Sequence, residues 1–306
     1  MVHGETGPSW TRVSSGSADG ETVTWRIGSA GAPVVFFHGL LPAASGRIGL
    51  ELAVELANLC QTSVYAVDAP GFGESSPPSS VDGYTVARIS ERLATAVDGL
   101  LDVPVVLMGH SWGAAIACRV ATLLRRRPPG LVLLDGGHFD HADLPEADPT
   151  ETVADVREQM ATIGWAVAEP DLDACLDRVA GAGAHERPLL RAAVRAALEQ
   201  TATGLRSRVD LDHAAAAMHG LMNSRTSVTY PTLAQAAIPV LLLLATQPEQ
   251  RAVLNRQRLA AFHARVPDLR VVELDSTHDI PVSAPVDAAH AVARWLVDAE
   301  TAAPRA

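Results

Sequence analysis

The stretch Val105-Val106-Leu107-Met108-Gly109-His110-Ser111-Trp112-Gly113-Ala114-Ala115 constrains the chain most. It begins after Pro104 as an apolar run short enough for a buried strand. It passes through Gly-x-Ser-x-Gly and continues into a small-residue, helix-forming run. In that setting the serine sits on a tight strand-to-helix turn that pushes its hydroxyl outward, and the flanking glycines avoid clashes. The helix that follows adds N-terminal amides and the positive end of its dipole, which favour an oxyanion.

The rest of the chain alternates in the same way. Strands are predicted over 21–27 (an exposed edge), 33–37, 63–67, 131–134, 238–244 and 269–274. Helices are predicted over about 47–60, 84–102, 250–265 and 285–299. The first helix places Ile48, Leu52, Leu56 and Leu59 on one face. Residues 1–20 are Gly/Ser-rich and read as loose. From about 139 to 235 the rhythm breaks into a helical, Ala-rich stretch without a strand, and it holds Met160, Trp165, Met218 and Met222. The fold class is therefore α/β, a mostly parallel doubly wound sheet with an inserted helical lid. The core is predicted over 1–138 and 236–306, with the lid over 139–235, above the strand ends where such sheets bind ligands.

Composition removes several functions. The 306 residues carry a net charge of −11, which argues against a nucleic-acid partner. All 24 basic residues are arginine, so neither a Schiff-base lysine nor a phosphate-loop lysine exists. The single basic run, Arg125-Arg126-Arg127, reads as complementing the dipole at the end of the helix after Ser111. Gly71-Phe72-Gly73 lacks the third glycine of a dinucleotide fingerprint, and no cofactor is expected. Cys60, Cys118 and Cys175 are odd in number and widely spaced, which predicts thiols in a reducing compartment. No apolar run is long enough for a bilayer, so a cytoplasmic protein without a membrane partner is the expectation. A homodimer stays open. His138-Phe139-Asp140-His141-Ala142-Asp143 matches no metal-ligand spacing and reads as a solvated loop or a lid hinge, with no metal expected.

At this point the chain resembles the α/β-hydrolase superfamily. The resemblance rests on His38-Gly39, on Asp68-Ala69-Pro70-Gly71-Phe72-Gly73-Glu74-Ser75, on the Ser111 turn and on His278 in Asp275-Ser276-Thr277-His278-Asp279. It implies the chain order nucleophile, acid, histidine, with a lid after the sixth strand. Ser111 is then the nucleophile, and His278, just after the last strand, is the base that takes its proton. His110 packs or positions. The amide of Trp112 is one oxyanion donor, and by resemblance that of Leu40 is the other. His38 and Gly39 belong to the same turn beside the substrate, with His38 orienting it. Met160, Trp165, Met218 and Met222 are candidates for an apolar pocket lining.

The acid departs from the commonest family pattern. The loop after the seventh strand reads Ala245-Thr246-Gln247-Pro248-Glu249, with proline in the expected place. Asp135, at the end of the sixth strand beside Gly136-Gly137, is the preferred replacement, and Glu249 is the alternative. The reading implies a serine hydrolase acting through an acyl-enzyme on a small or medium apolar ester. A carbon–carbon bond hydrolase or iminopeptidase-like enzyme on the same fold is an alternative, as is a ligand receptor with a retained triad. The all-arginine, Ala-rich composition points to a bacterial secondary-metabolism setting.

Overall fold

Four apolar runs become the centre of the sheet because nothing polar interrupts their burial. They are VVFF, VLMGH, LVLL and VLLLLA, and every residue in them is buried. Parallel strands covered on both faces carry such runs. The computed structural model describes residues 10–302 apart from 18, 164, 166, 182 and 183.

In chain order the elements are β1 (Thr11–Ser17), β2 (Gly20–Ile27), β3 (Val34–Phe37), α1 (Leu50–Cys60), β4 (Val64–Val67), α2 (Val86–Leu100), β5 (Val106–His110), α3 (Trp112–Ala121) and β6 (Leu131–Leu134). The insertion follows with α4 (Val153–Thr162), α5 (Leu172–Ala180), α6 (Pro188–Ala196), β7 (Leu198–Thr201), β8 (Gly204–Ser207), α7 (Leu211–Met222) and α8 (Tyr230–Gln235). The chain ends with β9 (Val240–Ala245), α9 (Glu249–His263), β10 (Leu269–Leu274), α10 (Ile280–Ser283) and α11 (Pro285–Ala302).

The main sheet has the order β1-β2-β4-β3-β5-β6-β9-β10. In it β1 pairs with β2 and β2 with β4 antiparallel, and the remaining described pairings are parallel. The chain winds one way from β3 to β4 and the other way from β5 onward. The crevice between the carboxyl ends of β3 and β5 is therefore the topological switch point where such sheets bind ligands. One apolar cluster lies under α2, α3, α8 and α9, and a second lies under α1 and α11 on the opposite face. Among the described residues no helix is long and apolar enough to cross a membrane.

Several expectations are corrected. Part of the loose N-terminus is β1, which pairs with β2 along its whole length, so β2 is an inner strand and not the edge. Residues 1–9 and 18 lie outside the described residues. In α1, Leu52 and Leu56 are buried but Leu59 is exposed. The insertion contains an antiparallel hairpin, β7 with β8, where no strand is predicted. Arg125–Arg127 lie beyond the end of α3 at Ala121. Arg125 and Arg126 pair with Asp98 and Asp102 at the end of α2, so they join two helices instead of complementing one dipole.

The 138–143 stretch is not a solvated loop. His138 and His141 are buried. Asp140 accepts from the Ser227 amide at 2.7 Å and its hydroxyl at 2.6 Å, and Arg258 lies 4.3 Å over the Phe139 ring. The 226–229 turn folds back on the exit of β6 and covers it. Tyr230 next to that turn donates its hydroxyl to Gly137 O at 3.0 Å. The insertion shares a cluster with the core below it: Met160, Trp165 and Leu176 belong to the same buried set as Trp112 and Phe72.

Candidate active site

The Ser111 turn is strained as the sequence demands, with φ 53° and ψ −116°. A residue held in such a region costs roughly 1–3 kcal/mol and persists only where its surroundings over-determine it. Here they do. The Ser111 amide donates to Leu134 O at 3.0 Å, and its carbonyl accepts from Ala114 at 3.0 Å. A Cβ on Gly109 would lie 2.1 Å from Gly113 O, and one on Gly113 would lie 2.2 Å from Phe37 O. Both glycines of the motif are thus required by close backbone approach. Ser111 stands at the N-cap of α3 without using its hydroxyl as the cap. That hydroxyl instead lies 2.8 Å from His278 Nε2.

His278 follows β10 and is held from behind. Its carbonyl accepts from His110 Nε2 at 2.8 Å and from the Ile280 amide at 2.9 Å. Burial, and then the neighbouring His278, lower His110 to a pKa of about 4, so it is neutral and acts as a brace, as its position before Ser111 predicts. The other ring nitrogen of His278, Nδ1, lies 2.7 Å from Asp135 Oδ2. The preferred acid, not Glu249, is therefore the carboxylate that meets the histidine. Glu249 is the exposed first residue of α9.

Asp135 sits at φ 46°, a left-handed conformation that aspartate tolerates better than most residues. Its carboxylate is wholly buried and fully bonded. Oδ1 accepts from Asn255 Nδ2 at 2.8 Å and from the Ala245 amide at 3.2 Å; Oδ2 also accepts from Arg251 Nε at 2.7 Å. Burial alone would raise its pKa, but the His278 bond and the Arg251 charge outweigh burial and hold it at about 2. Asp135 is ionised at neutral pH.

The turn after β3 adjoins this group because β3 pairs with β5. A Cβ on Gly39 would lie 2.6 Å from His110 Nδ1 and 3.2 Å from Ser111 Cβ, so only glycine lets the turn approach the serine. Among the described hydrogen bonds, neither the Leu40 nor the Trp112 amide has an acceptor. His38 braces this turn from within the protein. It is buried, its Nε2 accepts from the Ala69 amide at 3.1 Å, and its Nδ1 donates to Gly39 O at 2.9 Å. Both ring nitrogens are therefore used within the protein.

Met160 and Trp165 are buried within the insertion, where Trp165 lines a small cleft with Pro42 and Leu205. Met218 and Met222 are half-buried on α7. Arg251 and Asn255 are absent from the sequence reading. The signal was available: Arg251, Asn255 and Arg258 recur at i, i+4 and i+7 along α9, a polar stripe on one helix face.

A serine, a histidine and a buried carboxylate in one hydrogen-bonded chain, at the switch point of a doubly wound sheet, define the α/β-hydrolase class. The chain belongs to the alpha/beta hydrolase family, whose sequence pattern matches residues 34–295. It is similar to Lipase LipV of Mycobacterium tuberculosis, with 34% identity over 164 residues, 50% of this chain and 59% of that protein. It is 32% identical over 125 residues to the 2-hydroxy-6-oxononadienedioate/2-hydroxy-6-oxononatrienedioate hydrolase of Cupriavidus pinatubonensis, 39% of this chain and 42% of that one. The matches thus span about three-fifths or less of these relatives' lengths. In fold it resembles E-2-(acetamidomethylene)succinate hydrolase, with a TM-score of 0.71 at 19% identity, covering 94% of this chain and 100% of that one.

Proposed function

We propose that this chain is a serine hydrolase that cleaves an ester of a small to medium apolar acid through an acyl-enzyme. The observation that carries the reading is the continuous path Ser111 Oγ, His278 Nε2, His278 Nδ1, Asp135 Oδ2, with links of 2.8 and 2.7 Å across its two gaps. A free hydroxyl is a poor nucleophile at neutral pH, and a neutral imidazole at this distance takes its proton as the oxygen attacks. Ser111 Oγ bonds to the carbonyl carbon while its proton passes to Nε2. The carbonyl oxygen becomes an oxyanion facing the Leu40 and Trp112 amides. Asp135 stabilises the imidazolium and keeps the ring oriented without itself becoming protonated. The imidazolium returns the proton to the leaving alcohol, and a water attacking by the same route releases the acid.

The insertion is proposed as the lid, with Met218 and Met222 toward the acyl chain. Similarity to a lipase supports an ester substrate. Cys118 and Cys175 are buried as thiols, which supports a reducing compartment, the cytoplasm. The experiment is turnover of a graded series of 4-nitrophenyl esters. Activity that disappears in Ser111→Ala, with folding intact, is the expected result; equal turnover in that variant overturns the reading.

A further inference from the structure

Arg251 makes a contact that the reaction above does not use. Its Nε donates to Asp135 Oδ2 at 2.7 Å, the same oxygen that His278 Nδ1 meets at 2.7 Å. Its Nη2 lies 2.5 Å from His278 Nδ1 itself. A guanidinium keeps its protons in any folded protein and has no lone pair to offer. Asp135, being ionised, only accepts.

His278 Nδ1 therefore has two neighbours with opposite requirements. Toward Asp135 it needs a proton; toward Arg251 it needs a lone pair. A neutral imidazole has one proton for two nitrogens. With the proton on Nδ1, Nε2 is free to take the Ser111 proton. With Nδ1 accepting from Arg251, the proton sits on Nε2, donates to Ser111 Oγ, and the ring is no base.

We propose that Arg251 is a positioning residue that sets the tautomer of His278, holding part of the population in the non-basic form. This rests on the proposed roles of Ser111 and His278. The Arg251 side chain is 33% exposed, so its planar guanidinium has water to swing into as a unit, away from Nδ1. Release moves one proton from Nε2 to Nδ1 through solvent and leaves the charge of every group unchanged. The other polar neighbours do not compete for Nδ1. His110 binds the His278 carbonyl, and the nearest oxygen of Asp279 lies 3.9 Å from His110 Nε2.

The test is ¹⁵N NMR of the full chain labelled at histidine, with the His278 signals assigned by their loss in His278→Gln. The wild type is expected to show a measurable Nε2–H fraction. In Arg251→Lys the ammonium pairs with Asp135 as a single point charge and does not bridge to Nδ1. That variant is expected to shift to the Nδ1–H form and to raise kcat about two- to tenfold at unchanged KM, the inverse of the competent fraction. Arg251→Gln is expected to shift the tautomer in the same direction. A wild-type spectrum showing only Nδ1–H overturns the proposal whether or not either variant folds. So does an Arg251→Lys enzyme with an unchanged tautomer or a lower kcat. Covalent labelling of Ser111 by a serine-reactive phosphonate separates the two claims. Normal labelling with an Nδ1–H-only spectrum overturns the Arg251 proposal alone, whereas no labelling overturns the catalytic reading.

Discussion

Asn255 donates its side-chain amide to Asp135 Oδ1 at 2.8 Å, joining α9 to the end of β6 inside the protein. The only other donor to that oxygen is the Ala245 amide at 3.2 Å among the described bonds. Asn255→Leu leaves a buried carboxylate oxygen under-bonded, which is expected to cost about 1.5–3 kcal/mol of stability. The carboxylate then has freedom to turn away from His278, and kcat is expected to fall about tenfold. Urea unfolding and ester kinetics check both; unchanged values would separate Asn255 from the site.

Asp135→Asn keeps the shape but cannot stabilise the imidazolium, so kcat is expected to fall roughly 10³–10⁴-fold with little change in melting. Glu249→Gln, exposed at the start of α9, is expected to stay within about tenfold. The reverse ranking would move the acid to the loop after β9.

Four buried histidines set the acid limit of stability, and burial holds His38 below its ordinary 6.5. Burial lowers His110 to a pKa of about 4, His138 to about 4 and His141 to about 3, with neighbouring cationic or potentially cationic groups adding to it. The unfolded chain binds these protons near 6.5, before the folded chain does. Their contribution is therefore complete above about pH 6.5 and is lost as pH falls toward 4, by at most about 1.4 kcal/mol per pH unit for each histidine. Asp135 acts in the same direction lower down, its contribution being lost between its ordinary 3.8 and about 2. Unfolding free energies at pH 7 and 5 check this, with His138→Gln expected to flatten the slope. A stability that does not change over that interval contradicts it.

The methionines divide by burial. Met160 is only 4% exposed, so Met160→Ala is expected to cost about 2–5 kcal/mol of stability. Half-buried Met218 and Met222 are expected instead to change kcat/KM unevenly across acyl chain lengths when cut to alanine. Uniform effects on every ester would make them packing residues.

The sheet was readable because its parallel strands are uninterrupted apolar runs, and the Ser111 turn because its two glycines are sterically required. β1 was not. Its sequence, TRVSSGS, has almost no apolar content and stays in the sheet through backbone pairing with β2 and the Arg12 ion pairs to Glu21 and Glu74. The β7–β8 hairpin is similarly polar, and its alternation is too short to stand out from the helices around it. Ser111, Asp135 and His278 were legible because each follows a recognisable strand. Arg251 and Asn255 reach the site only because α9 packs on β9 beside Asp135, a residue more than a hundred positions earlier in the chain. Asp140 likewise finds its partner only in the distant 226–229 turn.

The most direct test of the account is a mass spectrum after treatment with a serine-reactive fluorophosphonate. Among the described residues Ser111 is the serine whose hydroxyl lies 2.8 Å from His278 Nε2, and its activation by that ring is the proposal under test. One adduct per chain, located on the peptide that carries Ser111 and slowed at least about a hundredfold in His278→Ala, is the predicted result. No adduct in the folded wild type, or an adduct at Ser111 that forms equally fast without His278, would contradict it.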